Sequence, residues 1–204
     1  MDVPPLSPDA LRDALAPLDA PLPPLGGRPS AVLLLLFPGA SGPEFILTLR
    51  QPHLNRHAGQ VSLPGGAVDP GDRDLWHTAL RETSEELSVD GSLVLPLGRL
   101  DVETVRATGY DIVPFVGWLD RAPVLRPNEE EVAAVARVPL AAICDTTKVV
   151  DEVWTLRGAP YVVVFYTFGD LAVWGATARI LSRFAERLGC TFDTVPGTVH
   201  LLTS

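Results

Sequence analysis

Apolar and polar positions along the chain change period twice. Residues 31–37 ("AVLLLLF") and 44–50 ("EFILTLR") are strand-length apolar runs around the turn-rich "PGASGP", the pattern of a hairpin. A polar, irregular "QPHLNRHAGQ" follows, and then "VSLPGG" predicts a short strand ending in two glycines. From residue 74 to residue 87 the period becomes helical, with Leu75, Ala79, Leu80, Thr83 and Leu87 on one stripe. Asp72 is the expected N-cap of this helix, and Gly91 lies close after its end. "SLVLPLGRL", "YDIVPFVGWL", "EVAAVARV", "EVWTL" and "YVVVFYTF" then predict strands, most of them bounded by Gly, Pro or Asp. Helical spacing returns in "WGATARILSRFAERLG", where Ala178, Leu181, Phe184, Ala185 and Leu188 share a face and Gly189 is the stop.

Ahead of these elements, Ser7 and Pro8 read as an N-cap and a first helical residue, with Leu11, Leu15 and Leu18 at helical spacing. The Pro/Gly connector "APLPPLGGRPS" closes this part. Residues 1–29 are therefore expected to form an N-terminal helical appendage and linker, and residues 30–204 a single domain. Many strands with two well-separated helices predict an α+β fold, an αβα sandwich around a mixed sheet.

Composition narrows the function. The 204 residues suffice for one substantial core, and 47% hydrophobic with 20% charged residues is an ordinary globular balance. A formal net charge of −9 argues against nucleic acid or an anionic membrane as partner. It permits a phosphorylated substrate where a metal cation and local arginines reverse the field. No apolar run approaches a membrane span, and the acidic, proline-rich start lacks the features of a secretory signal. A cytoplasmic protein is the expectation. Cys144 and Cys190 lie far apart and are expected to be buried apolar residues rather than a disulfide or a zinc site.

The chemistry concentrates in "RETSEELSVDG". Each residue of a helix advances about 100°, so Glu85 and Glu86 lie about 60° to one side and about 40° to the other of Glu82. The three carboxylates share one face, expected to be exposed, and repel one another; Arg81 can reach Glu85 at i+4. Two readings remain open on these residues: a solvated, Glu-rich surface helix, or a site in which a hard divalent cation resolves the repulsion. The upstream "LPGGAVDPGD" adds a Gly-Gly turn through which backbone can approach a metal or a phosphate.

"GGAVDPGDRDLWHTALRETSEEL" resembles the Nudix box, with Arg81, Glu82, Glu85 and Glu86 at its core. It departs from the box at Asp72, usually glutamate, in one extra residue before Arg81, and at Ser88, usually glycine. The extra residue with "DPGD" resembles one branch, the coenzyme A pyrophosphatases. A second signature of that branch is matched by "ILTLRQPHLNRHAGQVSLPGG" at Thr48, Arg50, Gly59, Pro64, Gly65 and Gly66, with departures at Gln51, Asn55 and Leu63. "ATGYDIVPFVG", "NEEEVAAVARVPL" and "VWGATARIL" extend the likeness over most of residues 31–188.

The resemblance implies a Nudix-like sandwich and metal-dependent hydrolysis of the diphosphate of coenzyme A. The products would be 4'-phosphopantetheine and adenosine 3',5'-bisphosphate. Glu82 and Glu86 become the principal Mg²⁺ or Mn²⁺ ligands, Glu85 shares metal binding or orients water, and Arg81 holds the glutamates. A carbonyl of Gly65 or Gly66 is a further candidate ligand. Arg50, Arg56, His53 and His57 can face substrate phosphates, with Arg50 favoured by its match to the second signature. Glu129, Glu130 and Glu131 are candidates for a general base or extra ligand, Glu131 first; the alternative is a solvated charge run. Two other functions compete: hydrolysis of another nucleoside diphosphate derivative such as ADP-ribose, and a non-catalytic nucleotide-sensing module. Retention of all three core carboxylates argues against the last.

Overall fold

The computed structural model describes residues 7–52, 59–156 and 158–201, in two compact units, Met1–Leu140 and Ala141–Ser204. In the first unit α1 (Pro8–Asp13) begins where Ser7 caps it, the Ser7 hydroxyl oxygen accepting from Ala10 N at 3.2 Å. Leu11 and Leu15 are buried, and the backbone of Ala16 bridges that of Arg99. The Arg99 guanidinium donates to the carbonyls of Ala20 and Pro21, so the N-terminal segment is fastened to the sheet by backbone and side chain together.

The leucine run of β1 (Arg28–Gly39) is continuous because both faces of this strand are buried. Leu33, Leu35 and Phe37 enter one core, while Leu34 and Leu36, on the opposite face, are also fully buried. β2 (Gly42–Arg50) folds back antiparallel through a turn at Ala40 and Ser41. The expected single strand in "VSLPGG" divides in two. β3 (Val61–Ser62) pairs with β2, and β4 (Gly65–Ala67) pairs with the start of β1. Pro64 between them has no N–H for a ladder, and its carbonyl instead accepts from Leu33 N at 2.9 Å.

α2 (Leu75–Leu87) lays Ala79 and Leu87 on the Leu33–Leu35–Phe37 face, with Leu75, Trp76 and Leu80 half-buried beside them. Its N-cap is Asp74, which accepts from His77 N at 2.8 Å, and not Asp72 as the sequence suggested. β5 (Leu95–Arg99) and β6 (Glu103–Val105) both pair with β7 (Tyr110–Trp118). β7 runs parallel to β1 from Arg28↔Tyr110 to Leu36↔Trp118, and β8 (Val132–Pro139) covers the outer edge of β2. The result is a mixed eight-stranded sheet in the α+β class expected from the sequence.

The second unit is a four-stranded antiparallel sheet. β9 (Val149–Leu156) pairs along one edge of β10 (Ala159–Phe168); β11 (Leu171–Val173) and β12 (Val199–Leu201) share the other edge. α3 (Gly175–Arg187) buries Ala178, Leu181, Phe184 and Ala185 within this unit. Cys144 and Cys190, expected as free apolar residues, instead form a disulfide, their Cα atoms 5.5 Å apart. Their sequence separation is 46, and the fold returns the chain to the same place, a closure invisible in spacing alone. No helix among the described residues is long and apolar enough to cross a membrane.

Candidate active site

The acidic face of α2 looks towards the end of β2, the glycine turn of β4 and the loop before β8. Arg81 organises it. Its Nε donates to Asp72 Oδ1 at 2.9 Å, Nη1 to Glu85 Oε2 at 2.9 Å, and Nη2 to Glu82 Oε1 at 3.0 Å and the Ala67 carbonyl at 3.1 Å. One cation thus relieves the repulsion between Glu82 and Glu85 and ties both to the loop ahead of the helix. Asp72 also accepts from Thr78 Oγ1 at 2.8 Å and from the amide of Asp69. The Arg81 bond above all, with the Asp69 and Thr78 bonds, holds the Asp72 carboxyl well below the usual range, against the effect of burial.

The three glutamates differ sharply in exposure. The Glu85 side chain is 55% exposed and that of Glu82 18%, whereas that of Glu86 is 3% exposed. The face is therefore not uniformly exposed as the helical wheel implied, because β2 and the loop before β8 close over its far end. Glu86 Oε1 lies 3.6 Å from Arg50 Nη1, and its Oε2 has no hydrogen-bond partner among the described residues. Burial pushes the Glu86 carboxyl up to about 8. Arg50 and the Gly65 amide oppose this, while the charges of Glu82 and Glu131 add to it. Glu82 is raised for the same leading reason, burial, against the pull of Arg81.

The backbone requires glycine at 65, and at 66 glycine leaves the space that the Glu82 carboxylate occupies. Gly65 sits at φ +148°, with the Val32 Cα 2.6 Å from where a Cβ would be. At Gly66 a Cβ would come within 2.5 Å of the Glu82 carboxylate oxygens. The turn is thus pressed against the carboxylates, with no room for a side chain between them.

This donor set fits a hard divalent cation. Two carboxylates meet there, one with a buried oxygen left without a partner, and Mg²⁺-type sites use one or two carboxylates completed by substrate phosphates and water. Among the described residues no three acidic, histidine or cysteine side chains converge as a ready-made cluster, so a cation held here draws its remaining ligands from elsewhere.

Residues 27–158 match the family model of the NUDIX domain. The chain belongs to the Nudix family. The uncharacterized Nudix hydrolase NudL of Shigella flexneri is 37% identical over 169 residues, covering 82% of this chain and 86% of that one. NudL of Yersinia pestis (strain Pestoides F), also uncharacterized, is 34% identical over 146 residues, 72% of this chain and 73% of that one. A Caenorhabditis elegans Ap4A hydrolase binary complex matches at TM-score 0.46 and 22% identity, over 55% of this chain and 80% of that one. The NUDIX domain of Shewanella oneidensis NrtR, solved with ADP ribose, matches at TM-score 0.46 and 20% identity, over 57% and 75%. This Nudix protein is accordingly a pyrophosphatase-type hydrolase of nucleoside diphosphate derivatives, in a family that generally uses divalent metal ions.

Of the residues singled out in the sequence, the structure brings together Arg50, Gly65, Gly66, Arg81, Glu82, Glu85 and Glu86, and sets the Glu131 charge near Glu82 and Glu86. His53, Asn55, Arg56 and His57 lie outside the described residues. Sequence reasoning did not find Asp72 as the anchor of Arg81: nine positions apart, they carry no helical spacing, and the departure from glutamate at 72 was the one available signal.

Proposed function

We propose that this Nudix enzyme hydrolyses the diphosphate of coenzyme A or its derivatives, with Mg²⁺ or Mn²⁺, to 4'-phosphopantetheine and adenosine 3',5'-bisphosphate. The observation that carries the reading is the meeting of Arg50 with Glu86. It links the segment matching the second signature of the coenzyme A branch to the acidic face of the Nudix box.

In this reading Glu82 and Glu86 are the principal metal ligands, Glu85 shares the metal or orients water, and a Gly65 or Gly66 carbonyl completes the set. A divalent cation held by these residues would supply positive charge to offset that developing on the diphosphate oxygens. Arg81 holds Glu82 and Glu85 at fixed spacing, so no reorganisation accompanies the reaction. Arg50 offsets the charge of Glu86 and reaches a substrate phosphate. Arg56 and His57 join it as phosphate partners on sequence grounds. Glu131 or Glu85 accepts the proton of the attacking water at a carboxylate oxygen.

Gln51, which with Asn55 and Leu63 departs from the branch pattern, donates its side-chain amide to the Glu129 carbonyl at 2.8 Å. That bond gives the departure a role in holding the loop before β8. Incubation of the protein and Mg²⁺ or Mn²⁺ with coenzyme A, ADP-ribose and dinucleoside polyphosphates in parallel tests the proposal. Preferential loss of coenzyme A supports it; turnover of none of them favours a sensing module.

A further inference from the structure

Two of the positions at which this chain departs from the Nudix patterns, Ser88 and Gln51, end on the same short loop. That loop, residues 126–131, carries Glu131. On one side it hangs from the end of α2: Arg126 N donates to the Leu87 carbonyl at 3.0 Å, and Asn128 N to the Glu86 carbonyl at 2.8 Å. Ser88 adds a side-chain bond, its Oγ donating to the Arg126 carbonyl at 3.0 Å. On the other side the loop hangs from the end of β2. Gln51 N donates to the Glu131 carbonyl at 2.9 Å, and Gln51 Nε2 to the Glu129 carbonyl at 2.8 Å. Between these supports the turn is closed internally. The Asn128 carbonyl accepts from Glu131 N and Val132 N, and Asn128 Oδ1 accepts from Glu130 N.

The backbone at Ser88 makes its side chain informative. Ser88 caps α2 at φ 58°, ψ 32°, a left-handed conformation that glycine adopts freely and a side chain adopts at a cost. It is the one non-glycine residue at positive φ among those described. Glycine would satisfy the helix end better but would have no hydroxyl to hold Arg126.

We infer that Ser88 and Gln51 are positioning residues, a two-ended strap that fixes the Asn128–Glu131 turn so that Glu131 faces the acidic end of α2. The inference rests on the reading above, in which Glu131 takes part in the reaction. The loop is held through main-chain carbonyls, which leaves the Glu131 carboxylate free to act. The strap joins the two elements that also supply Arg50 and Glu86, so loop and metal face move together.

The test compares Ser88→Gly, Gln51→Ala and Glu131→Gln in the full-length protein, assayed on coenzyme A with Mn²⁺ and followed by amide hydrogen exchange. Ser88→Gly removes the hydroxyl and relieves the backbone, so its melting temperature is expected to hold or rise. At the same time kcat falls about ten- to a hundredfold with KM nearly unchanged. The amides of Asn128 and Glu131 exchange faster in Ser88→Gly and Gln51→Ala, while those inside α2 keep their protection. A purely structural role for Ser88 would instead move stability and turnover in the same direction. Native-like kcat and exchange in both strap variants, with Glu131→Gln impaired, overturns the strap and leaves the role of Glu131 standing. Native-like kcat in Glu131→Gln overturns that role and the strap with it. Should coenzyme A not turn over at all, the failure belongs to the substrate assignment, and the exchange of the 128 and 131 amides still decides whether the strap exists.

Discussion

Arg50 Nη1 lies 3.6 Å from Glu86 Oε1, while Glu86 Oε2 and Arg50 Nε have no hydrogen-bond partners among the described residues. The pair is close without being satisfied. A carboxylate buried this deeply, with one open oxygen, is held at a cost that a cation can remove.

Glu86 sets a pH dependence in the metal-free protein. Its carboxyl is raised from 4.5 to about 8, so the folded state binds a proton more tightly than the unfolded chain does. The stability this contributes is complete below about pH 4.5 and is lost as pH rises through about 8. Thermal unfolding in a chelator should therefore show the native protein losing stability across that window, while Glu86→Gln, a neutral isostere, lacks this loss. Adding Mn²⁺ at pH 8 should stabilise the native protein and leave Glu86→Gln unmoved. Parallel pH curves for the two proteins would refute the assignment.

Arg81→Ala is expected to destabilise the protein by about 2 kcal/mol, since it removes charge-assisted bonds to Asp72, Glu82 and Glu85. Asp72 gives this a pH signature of opposite sense. Its carboxyl is depressed below 3.8, so its contribution is present above that pH and is lost as pH falls through the lower folded value. The stability gap between native and Arg81→Ala should narrow in acid. A gap that stays constant down to pH 2 would mean that Asp72 is not the principal partner.

Gly66→Ala separates placement from folding. The added Cβ meets the end of the flexible Glu82 side chain, which can swing away, so the melting temperature should change little. The swing displaces the carboxylate, and turnover should fall about tenfold or more with a higher Mn²⁺ requirement. Native metal dependence in this variant would show that the Glu82 position is not critical.

The Cys144–Cys190 disulfide closes a span of 46 residues around the C-terminal sheet. By chain entropy it contributes about 4 kcal/mol to the second unit. Dithiothreitol, or the double change Cys144→Ala with Cys190→Ala, should make Ala141–Ser204 sensitive to limited proteolysis at temperatures where the oxidised protein resists. Unchanged proteolysis would indicate that other contacts suffice.

What was legible in the sequence was whatever has a local period. The stripe from Leu75 to Leu87 marked α2 to within a residue, and the wheel placed Glu82, Glu85 and Glu86 on one side. It could not grade them: Glu86 is buried because β2 and the 126–131 loop arrive from distant parts of the chain. β6, β11 and β12 escaped notice because three residues are too few to show alternation. The cap moved from Asp72 to Asp74 because Asp72 is engaged by Arg81, a partner nine residues on. Ser88 looked anomalous until the structure showed Arg126, 38 positions away, as the acceptor of its hydroxyl.

The most direct measurement incubates the purified protein with coenzyme A and Mn²⁺ and resolves the products by mass. Equimolar 4'-phosphopantetheine and adenosine 3',5'-bisphosphate, lost on chelation and absent with Glu86→Gln, is the expected result. Intact coenzyme A alongside rapid hydrolysis of ADP-ribose under the same conditions would contradict it.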